Sequence, residues 1–168
     1  MFSSRLLLPF THGIDAQAIE YAMRMASYED ATLVLLTLIS VPEAKKGPRL
    51  EHIQQSKDML KFVKTVARWH HVTVELHEAY THDAVLGIMS AYQHLDCESI
   101  LVAMREQKAV LIQTPELHQL IKEHAATSNI ELINLPPKVK FWDYVSSFSG
   151  RVRKNHEQPY GSHARLTM

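Results

Sequence analysis

The sequence is poor in the residues that usually announce chemistry. It has one cysteine, Cys97, which excludes an intrachain disulfide and a cysteine-based zinc cluster and fits a reducing, cytoplasmic setting. It has no net charge, so nothing in its overall balance calls for nucleic acid or a membrane as the main partner. No apolar run approaches the ~20 residues needed to span a bilayer, and the single basic residue and short apolar run of the first ten residues do not make a signal peptide. Glycine is scarce, with five in 168 residues. The stretch Ser99 to Glu123 has none, although it reads as a buried strand, a loop and a helix. In an α/β fold that turn is where a nucleotide's phosphates usually sit. Glycines there let backbone N–H groups approach the phosphates, and the helix N-terminus behind adds partial positive charge.

What is present is a chain of ordinary globular composition, 46% hydrophobic and 21% charged, long enough to bury a core. The charge is unevenly spread. Residues 1–135 carry 12 Lys and Arg against 16 Asp and Glu, whereas residues 136–168 carry 6 against 2. An acidic body of residues 1–135 is followed by a basic extension, 136–168.

Strand and helix patterns alternate. Arg5–Phe10 is a short apolar strand, and Asp15–Glu29 has a helical stripe of Ala18, Ile19, Ala22, Met25 and Ala26. Ala31–Val41 is a continuous, β-branched-rich run, as in a strand covered on both faces. A loop from Pro42 to Pro48 leads to a helix over Leu50–Trp69, with Leu50, Ile53, Leu60, Val63 and Ala67 in one stripe and Met59, Phe62 and Val66 widening it. Val72–His77 is a third strand. Thr81 is placed to cap the next helix, whose inner face is Val85, Ile88, Met89 and Tyr92. Ser99–Met104 is a fourth strand, and Thr114-Pro115-Glu116 supplies a hydroxyl cap, a proline and an acid at a helix start. That helix presents Leu117, Leu120, Ile121 and His124, and Ile130–Leu135 is a fifth strand stopped by Pro136-Pro137. The expectation is a three-layer α/β domain, a five-stranded parallel sheet with helices on both faces, whose ligand site lies where the winding direction reverses.

Residues 5–135 resemble the universal stress protein (UspA-like) family. The resemblance is carried by RLLLPF at 5–10, AIEYAMRMA at 18–26, ATLVLLTLISVP at 31–42, VELHEAYTHDAVLGIMSAYQHLD at 74–96 and ESILVAM at 98–104. It implies strand order 3-2-1-4-5, an adenine nucleotide α-hydrolase-like architecture and a homodimer formed through the last strands. One branch of that family binds ATP with an acid after the first strand and, after the fourth, Gly-x-x-Gly followed at a distance by Gly and Ser or Thr. Here the acid position falls at Thr11, the glycines at Met104, Gln107 and Gln113, and only Thr114 matches, over a shorter segment. Side chains at those positions fill the space phosphates need, and non-glycine residues adopt positive φ only at a cost. The resemblance therefore implies a member without cofactor, its degenerate pocket made of Thr11, His12, Gly13, Met104, Arg105, Gln107, Gln113 and Thr114.

No catalytic constellation is visible, and no metal site is expected. His77 and His82 beside Glu78 and Asp83 lack the spacing of a metal motif, and Cys97 sits between acids that disfavour its thiolate. His12, Arg105 and Glu106 converge at the switch point either as an anion site or as an ion pair plugging a vacated pocket. The extension gathers Phe141, Trp142, Tyr144 and Phe148 ahead of Arg151, Arg153 and Lys154. These either pack on the protein's own sheet edge or dimer mate, or contact a partner; an anionic membrane or nucleic acid is the less favoured target. The leading expectation is a non-enzymatic regulatory or interaction protein of the stress-response type, with the extension as contact surface. Its rival is a sensor of a nucleotide or other small anion in the remodelled pocket.

Overall fold

A computed structural model describes residues 4–11, 13–40 and 50–138, with backbone alone for 50–56. Its strands are β1 (Arg5–Phe10), β2 (Thr32–Ser40), β3 (Val74–Thr81), β4 (Ser99–Arg105), β5 (Lys108–Ala109) and β6 (Ile130–Asn134). The helices are α1 (Ala16–Tyr28), α2 (Leu50–His70), α3 (Ala84–His94) and α4 (Thr114–His124). The compact unit containing all of them is Met1–Pro137.

The five expected parallel strands are β1, β2, β3, β4 and β6, in the order β3-β2-β1-β4-β6. The sixth, β5, is an addition to the expected count, and it runs antiparallel to β4. β3 starts two residues later than expected and reaches Thr81, paired with β2 over its whole length.

Alternation along the strands divides the core in two. Leu6, Leu8, Phe10, Leu33 and Leu35 pack beneath α1 and α2, whereas Leu7, Val34, Leu36 and Leu38 pack beneath α3 and α4. In α1 the buried set Ala18, Ile19, Ala22, Met23 and Ala26 keeps helical spacing. In α2 the buried line is Met59, Val63 and Val66, so the stripe lies one position away from the expected Leu60 and Ala67. In α4, Leu117 and Leu120 are buried, but Ile121 is 40% exposed and faces outward rather than into the expected stripe.

Two helix starts differ from expectation. Asp83, not Thr81, caps α3: its carboxylate accepts from the Leu86 N–H at 3.1 Å, while Thr81 accepts from the Asp83 N–H. For α4 the N-cap is Gln113, and Thr114 is the first helical residue. The Glu116 carboxylate satisfies the Gln113 N–H at 2.8 Å, so an acid in the first turn serves where a hydroxyl was expected. The expected loop at 42–48 and the aromatic and basic residues from Phe141 to Lys154 lie outside the described residues.

Candidate functional site

The sheet's winding reverses between β1 and β4. These strands pair only at their beginnings, Leu6 with Ser99 and Leu7 with Ile100. Beyond that they separate, and the crevice at their C-terminal ends is where such folds receive ligands.

In this protein the crevice is filled by its own chain. After β4, Glu106 and Gln107 turn the backbone through φ values of 49° and 64°, and β5 returns along β4 with Met104 opposite Ala109 and Arg105 opposite Lys108. β6 occupies the other edge of β4, where Met104 pairs with Asn134, so β5 lies on the side of β1. The return continues past β5. The Val110 N–H donates to the Ala103 carbonyl at 2.9 Å, and the Thr11 N–H donates to the Leu111 carbonyl at 2.9 Å. Leu111 then joins the core beneath α1 and α2, and Ile112 the core beneath α3 and α4, each 2% exposed. Burying two such side chains contributes roughly 2 kcal/mol apiece.

The charges at the same point are satisfied internally. Thr11, at the position where the resemblance places an acid, donates its hydroxyl to Glu116 Oε2 at 2.6 Å. The same oxygen takes the Gln113 N–H, so a carboxylate of the protein occupies donors at the N-terminus of α4 that would otherwise face an anion. Arg105 Nη1 donates to Asp15 Oδ2 at 2.7 Å, Nη2 to Gln17 Oε1 at 2.6 Å, and Nε to the Pro136 carbonyl at 2.9 Å. Both side chains of the Arg105–Asp15 pair are nearly buried. Asp15 also caps α1, accepting from the Ala18 N–H at 3.1 Å. Burial pushes its carboxyl upward, but the Arg105 hydrogen bonds, the Ala18 N–H and the Arg105 charge outweigh this and hold it below the usual value.

The expected pocket residues therefore divide. Thr11 follows β1, Met104 and Arg105 end β4, Gln107 lies at the exposed tip of the hairpin turn, and Gln113 and Thr114 stand exposed at the start of α4. Gly13, at φ +64, carries the chain from β1 toward α1, and a Cβ there meets nothing within 4 Å; His12 lies outside the described residues. Glu106 does not make the plugging ion pair with Arg105; it is exposed at the tip of the turn, and the partner is Asp15. Sequence reading missed Asp15, Glu116 and Leu111. Glu116 had a signal as a first-turn acid and Asp15 as a cap, but their cross-chain partners had none.

Other chemistry is sparse. Among the described residues no three His, Cys, Asp or Glu side chains gather as a metal site needs. Cys97 is buried, and burial pushes its thiol up to about 11, the Arg5 charge opposing and Glu75 and Asp96 adding to the rise. No helix among the described residues is long and apolar enough to cross a membrane.

No protein-family model matches this chain, and no curated protein matches it in sequence. Solved structures do match in fold. A universal stress protein from Archaeoglobus fulgidus superposes with a TM-score of 0.60 at 15% identity, over 79% of this chain and 95% of that one. A protein of the universal stress protein family from Burkholderia pseudomallei gives 0.57 at 13%, over 77% and 95%. A universal stress protein solved in complex with cAMP gives 0.56 at 11%, over 80% and 98%. The fold is that of the universal stress proteins.

Proposed function

We propose that this chain is a non-enzymatic, cytoplasmic regulatory or interaction protein of the stress-response type, built on the universal stress protein fold without its nucleotide site. The observation that carries this reading is the filled crevice: Leu111 and Ile112 occupy the β1–β4 seam, and Glu116 takes the donors of Thr11 and Gln113. A phosphate entering there has to displace a carboxylate and expose two buried side chains. The proposed protein is a homodimer through β6, supported by an outer edge unpaired among the described residues and by Leu132, 53% exposed on it. Residues 1–135 form the scaffold in this reading. Residues 136–168, with Phe141, Trp142, Tyr144, Phe148, Arg151, Arg153 and Lys154, form the surface for a protein partner.

A second reading, a sensor of a nucleotide or other anion, is favoured by the two neighbours solved with cAMP and with dAMP. It asks Arg105 to leave Asp15, Gln17 and the Pro136 carbonyl. Calorimetric titration with ATP, cAMP and dAMP at millimolar concentration separates the two. The first reading expects no saturable heat. Saturable binding that Arg105→Met abolishes, in a variant shown to be folded, refutes it and establishes the sensor.

A further inference from the structure

At the far side of the sheet from β6, β3 is an edge strand. It pairs with β2 from Val74 to Thr81, and among the described residues nothing pairs with its outer edge. Edges of this kind are normally blunted by lysine, proline, a bulge or a covering segment. The strand VELHEAYT has neither lysine nor proline, and it keeps unbroken register with β2.

Apolar side chains flank this edge on both faces. Leu76 and Tyr80, 37% and 56% exposed, lie on the α2 side, because Leu76 pairs with Leu35 of that core. On the other side a groove of about 440 Å³ runs between β3 and α3. Its floor includes Leu36 and Ala79, its helix wall Leu86, Ser90 and His94, and Leu86 is 63% exposed. Gly87 lines the groove as well, and a Cβ there comes within 2.9 Å of Leu38, so glycine is what seats α3 this close to the sheet. A strand-and-helix groove beside an open edge is the geometry that accepts an extended peptide: main-chain bonds supply affinity, and alternate side chains enter the groove.

The electrostatics select the peptide. From Trp69 to Met104 there is no lysine or arginine, against five acids, Glu75, Glu78, Asp83, Asp96 and Glu98. Glu75 is engaged by Arg5, and Asp83 caps α3. Glu78 pairs with Thr37 and so stands on the same face as Leu76 and Tyr80, where it makes no ion pair among the described residues. No Lys or Arg lines the groove on the other face. The apolar residues of an added strand enter the groove, and the alternate, basic ones meet Glu78.

We propose that the open edge of β3 and the β3–α3 groove bind an extended segment of a partner protein, alternating apolar and basic residues, as an added strand. This site lies away from the β1–β4 crevice, and it stands whether or not the crevice takes a nucleotide.

The test uses the full chain and three fluorescein-labelled octapeptides: alternating Val and Lys, the same with Glu for Lys, and the same with two prolines at inward-bonding positions. Fluorescence anisotropy is expected to show saturable binding of the Val–Lys peptide, at least tenfold weaker for the proline peptide, and none for the Val–Glu peptide. Leu86→Lys, at a position too exposed to threaten folding, is expected to weaken binding at least tenfold with unchanged thermal stability. Hydrogen exchange is expected to slow at β3 amides when the Val–Lys peptide is added. Failure of the Val–Lys peptide to bind, or equal affinity for the proline peptide, overturns the proposal. So does β3 protection that rises with protein concentration alone, because the occupant is then a second copy.

Discussion

The turn at Glu106-Gln107 offers the sharpest test of how the crevice is filled. Both residues sit at positive φ, 49° and 64°, the conformation of a two-residue type I′ hairpin that Asn-Gly adopts most readily. An L-residue in this region costs on the order of 1 kcal/mol, and both side chains point to solvent, so replacing them removes no packing. Glu106→Asn relieves part of the first cost. Gln107→Gly relieves the second but adds roughly 0.5–1 kcal/mol of chain entropy to the unfolded state. The double variant is therefore expected to gain roughly 0.5–1 kcal/mol, seen as a higher urea midpoint with unchanged slope and a Tm higher by about 1–4 °C. The companion change is Leu111→Ala, which empties the buried position the turn serves and is expected to cost about 2–5 kcal/mol. If Asn-Gly gives no gain, or Leu111→Ala costs less than about 1 kcal/mol, the hairpin does not deliver Leu111 to the seam and the reasoning fails.

Two further perturbations test the supporting structure. Arg105→Met leaves the Asp15 carboxylate nearly buried without its partner and is expected to cost about 3 kcal/mol at neutral pH, with Asp15→Asn partly non-additive in a double-mutant cycle. The folded Asp15 titrates below its ordinary 3.8, so its contribution is present above that value and is lost as pH falls through the folded one. The gap between wild type and Arg105→Met in denaturation curves should therefore narrow in acid; a constant gap would exclude the ion pair as its source. Gly87→Ala sets a helix-propensity gain of about 1 kcal/mol against a Cβ placed 2.9 Å from Leu38 and 3.2 Å from Thr81, and overpacking of about 1–3 kcal/mol is expected to win. A stabilised variant would mean that α3 can move off the sheet.

How much of this was legible follows from the range of each interaction. The runs Leu33–Leu36 and Ile100–Ala103 are continuously apolar and buried on both faces, so local pattern suffices to find them. β5 was not legible because its turn, Glu106-Gln107, contains none of the glycine, asparagine or aspartate that normally marks a hairpin, and the strand itself is two residues long. At α3, Thr81 and Asp83 are both competent caps two residues apart, and only the backbone at Asp83, φ −128°, decides between them. Arg105 is legible at the switch point, beside His12 and Glu106. Its partner Asp15 is distant in sequence, and its role as a cap for α1 conceals its second role.

These findings connect the missing glycines to the extra strand. Where β1 and β4 diverge, their inner backbone groups need partners, as does the first turn of α4. A glycine-rich loop at such a point stays thin and leaves the helix donors to a phosphate. Here the Ala103 carbonyl is met by the Val110 N–H, the Thr11 N–H by the Leu111 carbonyl, and the Gln113 N–H by Glu116. A loop that must place Leu111 and Ile112 in two cores needs bulky residues in register, and a glycine-rich loop has neither the side chains nor the rigidity. The absence of glycine from Ser99 to Glu123 and the presence of the hairpin thus answer one structural requirement. With the seam closed by its own chain, the strand edges without a ladder neighbour among the described residues are those of β6 and β3, and it is there that a partner has hydrogen bonds to gain.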